Sequence, residues 1–141
     1  MGKDNCLHMK TQRGGRFFFS GLKDNKNINL YKVITLCGST KFKAEFLEVQ
    51  KRLTLKGYIV ISVGLFGHSG DAEVSNYKVK QMLDDMHKRK IDMAEEIFVI
   101  DVDGYIGEST LSEIVYAENY GKKIHYYSKN QQRLYQEGEL I

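Results

Sequence analysis

Residues 95–128, EEIFVIDVDGYIGESTLSEIVYAENYGKKIHYYS, leave the chain little choice of fold. Ile97 to Ile100 is an unbroken apolar run, which suits a strand covered on both faces. Asp101 and Asp103 bring the first charges after that run. Gly104-Tyr105-Ile106-Gly107 then reads as a turn, because glycine accepts backbone angles that other residues resist. Ser109 or Thr110 can cap the following helix, whose Leu111, Ile114 and Ala117 share a face. Gly121 suits a left-handed cap, and Ile124 to Tyr127 reads as the next strand. In open α/β sheets ligands bind beyond the carboxyl ends of the strands. Two aspartates, two hydroxyls and Glu113 are therefore expected near one ligand crevice.

The chain before this segment repeats the pattern. Lys32 to Cys37 (KVITLC) reads as a buried strand rich in β-branched residues. Gly38-Ser39-Thr40 follows, then a helix with Phe42, Phe46, Val49 and Leu53 on one face. Gly57 ends it, and Tyr58 to Val63 is the second strand. Gly64 to Ser75 (GLFGHSGDAEVS) is a long glycine-bearing loop of the kind that forms lids. The next helix runs from about Asn76 to Ala94, with Val79, Met82, Leu83, Met86 and Met93 toward the core. Strand–helix alternation predicts a small doubly wound parallel α/β sheet, flavodoxin-like or Rossmann-like, with helices on both faces. In the flavodoxin-like order the first and third of its strands are neighbours at the switch point. Gly38-Ser39-Thr40 would then lie beside the stretch from Asp101 to Glu113.

Composition narrows the partners. A chain of 141 residues fits one domain with a real core. The net charge of +3 argues against nucleic acid, the more so because much of the basic excess lies in the first 30 residues. No apolar run approaches the roughly 18 residues of a membrane span, and no signal peptide is visible. Cys6 and Cys37 make neither a disulfide framework nor a zinc pattern, so Cys37 reads as a small core residue and the compartment as reducing, hence cytoplasmic. Residues 1–30 are basic and rich in Asn, Lys and Gly, and read as a disordered extension or an added leader, with Arg16 to Ser20 as an edge strand. Residues 31–141 form the domain, and 129–141 a short polar helix or tail.

Several residues admit two readings. Gly38-Ser39-Thr40 is either a tight turn capped by Ser39 or an anion cradle, with Lys41 and Lys43 adding positive charge. Thr110-Leu111-Ser112-Glu113 fits a capping box, which explains Glu113 without any function. Alternatively Glu113 is a carboxylate at the crevice mouth, able to attack a sugar C1′ as retaining glycosidases do. His68 is a solvated loop residue or faces the pocket. Asp101 and Asp103 could orient a ribose hydroxyl, and Asp103 also suits a turn. No metal motif is present, and no cofactor is expected.

ITLCGST, KID-x-A-E-E-I-x-V-I and GEST-x-x-EI-x-YA-x-x-x-GKKI together resemble the nucleoside 2-deoxyribosyltransferase superfamily, which includes deoxynucleoside 5′-monophosphate N-glycosidases. The resemblance spans about residues 32–127 and is most specific at Glu113-Ile114, Tyr116-Ala117 and Gly121-Lys122. It implies Glu113 as nucleophile, with Gly38, Ser39 and Ser109 at the sugar 5′ end or its phosphate. The family's catalytic aspartate falls on His87 by counting back from Ala94, with Asp84, Asp85 and Asp92 close by. His87 or Asp92 is then expected to assist the leaving base, a histidine being able to protonate it. Gly107 stands where the family often has Asp or Ser. The expected activity is N-glycosidic cleavage or base transfer on a (deoxy)nucleoside or its 5′-monophosphate. A non-catalytic nucleotide-binding module is the alternative. The resemblance also implies a homodimer or higher homo-oligomer, which the late tyrosines Tyr116, Tyr120, Tyr126, Tyr127 and Tyr135 favour.

Overall fold

The computed structural model describes residues 9–11, 17–19 and 30–137. The chain divides into two units, Met1–Leu30 and Tyr31–Ile141. In the first, β1 (Met9–Thr11) pairs antiparallel with β2 (Phe17–Phe19), Met9 opposite Phe19. The strand expected at Arg16 to Ser20 is therefore present at its centre, in a two-stranded sheet of its own. The disorder expected over the rest of residues 1–30 lies outside the described residues.

The second unit is built from β3 (Val33–Gly38), α1 (Lys43–Leu55), β4 (Ile59–Ile61), α2 (Tyr77–Asp92), β5 (Glu96–Ile100), α3 (Glu108–Asn119), β6 (Lys123–Tyr126) and α4 (Tyr127–Asn130). Its sheet has the order β4-β3-β5-β6 with every neighbouring pair parallel. This is the expected small doubly wound α/β fold. Register sets Leu36 opposite Phe98 and Gly38 opposite Ile100.

Side chains alternate across the two central strands, and both faces are apolar. Ile34, Leu36, Phe98 and Ile100 point to one side, where Phe46, Val49 and Leu53 of α1 meet them. Cys37, Ile97 and Val99 point to the other, against Ile91 of α2 and Ile114 and Ala117 of α3. The residues after β6 add to the first layer. Leu134 is 3% exposed within it, so the segment expected to be a polar tail carries a core residue. Of that segment, 138–141 lie outside the described residues.

The methionines of α2 are a correction. Met82, Met86 and Met93 are 52%, 41% and 69% exposed, while His87 and Ile91 are the buried residues of the helix. Asn76 caps α2, its side chain accepting from Lys78 N at 2.9 Å and Val79 N at 3.2 Å. At the rim where the strands begin, connections are short and tied. Glu95 Oε1 accepts from Val33 N at 2.8 Å, and Lys122 Nζ donates to Ala94 O at 2.8 Å. Among the described residues no helix is long and apolar enough to cross a membrane.

Candidate functional site

The opposite rim, where the strands end, holds a cavity of about 280 Å³. Its floor begins at Gly38, the last residue of β3. There φ is +153°, and a Cβ would sit 2.9 Å from Ile100 O, so the close approach of β5 requires glycine. Ser39 caps the short turn Thr40–Phe42, its Oγ accepting from Lys41 N at 3.4 Å. Thr40 anchors the long loop. Its hydroxyl lies 2.8 Å from His68 Nδ1, and its carbonyl accepts from Ser69 Oγ at 2.9 Å. Asp71 Oδ2 accepts from Phe66 N at 2.6 Å within the loop. Leu65, Gly67, His68 and Val74 thus form one wall.

The facing wall is the start of α3. Gly107 is extended, with φ −81° and ψ 176°, and the helix starts at Glu108 with no side-chain cap. Ser109 and Thr110 therefore lie inside the first turn rather than capping it. Glu113 lies a turn further on, beyond the reach of a capping box. That reading of Glu113 is withdrawn, which leaves the residue no local structural task. Gly107, Glu108, Ser109, Thr110 and Glu113 all line the cavity. The unpaired N–H groups of the first turn favour an anion. Lys80 Nζ, 3.5 Å from Ser109 Oγ and 3.0 Å from Asp84 Oδ2, adds a cation beside them.

Lys80, Leu83, Asp84, Met86, His87 and Lys90 line the cavity from α2. Burial, and then the charge of Asp84, push the Glu113 carboxyl up to about 7. Its contact with the Cys37 thiol, and Lys88 and Lys80, pull weakly the other way. Burial, and then Lys90, hold the His87 ring down to about 4. The 3.9 Å separation of His87 Nε2 from Glu113 Oε1 is thus a contact with a neutral ring and not an ion pair at pH 7. His87 Nε2 is buried without a hydrogen-bond partner. Burial raises the Cys37 thiol well above its ordinary value, and the adjoining Glu113 raises it further.

No protein-family profile matches the chain, and no curated protein does.

The structure brings together Gly38, Ser39, Gly107, Ser109, His87 and Glu113 of the residues singled out by sequence. Four others fall elsewhere. Asp92 accepts from Tyr116 Oη at 2.6 Å near the end of α2, away from the cavity, and Asp84 is the aspartate of that helix that lines it. Asp101 is buried and accepts from Ser128 N at 2.9 Å and Ser128 Oγ at 2.7 Å, a brace for the chain after β6. Asp103 is exposed and turns the backbone at φ 53°. Lys41 Nζ lies 3.5 Å over the Tyr105 ring and does not line the cavity itself. The acid role expected of His87 rested on a near-neutral ring, and burial removes that basis.

Sequence reasoning missed Tyr105, Lys80 and Lys90 as lining residues. One signal was legible: Lys80, Asp84 and His87 recur at helical spacing, a polar stripe on a helix that otherwise packs on a sheet.

Proposed function

We propose that this protein cleaves or exchanges the N-glycosidic bond of a (deoxy)nucleoside or its 5′-monophosphate, with Glu113 as nucleophile. One observation carries the reading. Glu113 is a largely buried carboxyl on the cavity wall, freed from any capping role and raised by its surroundings. Buried, perturbed carboxyls in clefts are the signature of groups set for chemistry. The cavity volume, near the small end of the ~300–1,000 Å³ range of ligand pockets, suits one small molecule rather than a polymer strand.

In the first step a Glu113 oxygen bonds to C1′ while the C1′–N bond breaks, and the base leaves with the bonding pair. The departing base takes its proton from solvent water. Water or a second base then attacks C1′ and releases Glu113, which gives hydrolysis or transfer. Ser39, the start of α3 and Lys80 hold the 5′ group. His87, neutral at pH 7, lies beside Glu113 in the cavity wall.

Glu113→Gln tests this directly. Base release from a panel of nucleosides and monophosphates, followed by chromatography, should disappear in the variant, and undiminished turnover would remove Glu113 from the mechanism. A panel member that raises the melting temperature of the wild type without any base release would favour the binding-module reading, which the two anion-favouring chain turns also suit. Free, buried Cys37 accords with a reducing, cytoplasmic setting. We further assign the protein a homo-oligomeric state, supported by apolar side chains exposed on α2 and α3.

A further inference from the structure

Cys37, His87 and Glu113 come from β3, α2 and α3, and no spacing in the sequence links them. One donor atom from each lies within 4.8 Å of the others. His87 Nε2 is the decisive atom. The Leu36 backbone favours a hydrogen on the ring and Nε2 has no partner, so we place that hydrogen on Nδ1. That tautomer leaves the Nε2 lone pair facing a carboxyl oxygen 3.9 Å away, in a side chain only 8% exposed. A buried lone pair that faces a carboxyl across this gap, with a thiol beside it, can be satisfied by a cation. A carbonyl behind the far ring nitrogen is also the usual support of a metal-binding histidine.

We propose that Cys37, His87 and Glu113 form a site for a borderline divalent cation, zinc by its donor set, and that filling it withdraws Glu113 from glycosyl chemistry. Thiolate, imidazole and carboxylate together select zinc over magnesium or calcium, which take oxygen ligands. Zinc bonds of ~2.0–2.3 Å set tetrahedral donors about 3.3–3.8 Å apart. The present spread needs a contraction of about 1 Å, within the reach of side-chain torsions. His87 and Glu113 line the cavity, so the fourth position opens onto it. Binding releases the Cys37 proton to solvent. The inhibitory half rests on the reading of Glu113 as nucleophile; the site itself does not.

Cobalt reports the site optically, because a thiolate ligand gives a near-ultraviolet charge-transfer band. The chain has two cysteines. In reduced, full-length Cys6→Ser any such band therefore comes from Cys37. Titration of that variant should saturate at one equivalent of cobalt, and one equivalent of zinc should bleach the band. His87→Gln should weaken cobalt binding by more than the ~10–100-fold that loss of an outer partner brings. Absence of the band in Cys6→Ser, or unchanged affinity in His87→Gln, would overturn the site. Zinc should also stop base release by the wild type, with recovery on adding a chelator. Turnover that persists with the site filled overturns the inhibitory half alone. A chain that never releases base, yet shows the band, retains the site and loses the proposed function.

Discussion

Glu113 and His87 carry opposite penalties for charge, and these can be separated by pH. Glu113 is raised in the fold to about 7 from an ordinary 4.5, so its stabilising protonated form is fully present below 4.5 and lost as pH rises through about 7. Ionising it costs the fold up to about 3 kcal/mol. His87 is lowered to about 4 from 6.5, so its contribution is present above 6.5 and lost as pH falls through about 4. Between pH 4.5 and 6.5 the two slopes oppose, and the wild type should be nearly flat in that window. Glu113→Gln should instead gain stability with rising pH there and melt higher than the wild type at pH 8. His87→Gln should lose stability as pH rises. Denaturant titrations at several pH values check both signs. If Glu113 is the nucleophile it must be ionised, so kcat/KM for base release should climb about tenfold per pH unit below 7 and level off above it.

At the scale of elements, Gly38 and Leu134 mark what holds the rim and the back of the sheet. Gly38→Ala forces a Cβ against the Ile100 carbonyl at an unfavourable φ, and should lower stability and, with it, the proposed nucleotide binding. Leu134→Ala should cost about 2–4 kcal/mol by chemical denaturation, because the side chain is sealed into the α1 layer. A loss under 1 kcal/mol would mean that the terminal turn is not docked. The four sheet strands, three main helices and switch point were legible, since β-branched runs, 3.6-residue periods and closing glycines all agreed. The misreadings share a cause. Thr110-x-x-Glu113 looks like a helix start, but the extended Gly107 begins α3 earlier. The apolar count on α2 pointed to its methionines, but this helix walls a cavity, and its polar His87 turns inward. Periodicity reads a core face; it does not distinguish a core from a pocket. Asp101 failed for a related reason, since a partner at Ser128 is invisible from local sequence.

At the scale of the whole molecule, both helices that flank the cavity carry exposed apolar side chains. Met82 and Met86 of α2 are 52% and 41% exposed, and Leu111 and Val115 of α3 55% and 47%. The proposed homo-oligomer would cover them. Light scattering should give at least twice the 16.3 kDa chain mass at micromolar concentration, and Leu111→Glu with Val115→Glu should return it to a monomer. A wild-type monomer that still releases base would refute the assembly. The parallel sheet has a second outcome, for how this chain tolerates change in length. Its two rims are not equivalent. Where the strands begin, brief links are bound by Glu95 and Lys122, whereas the cavity rim carries the long segment from Ser62 to Asn76. A short Gly-Ser insertion after Gly70 should leave the melting temperature almost unmoved and, if the proposed site takes nucleotides, shift the choice among them. The same insertion after Gly121 should lower the melting temperature. New ligand preferences can therefore be written into one end of this molecule while the other keeps it folded.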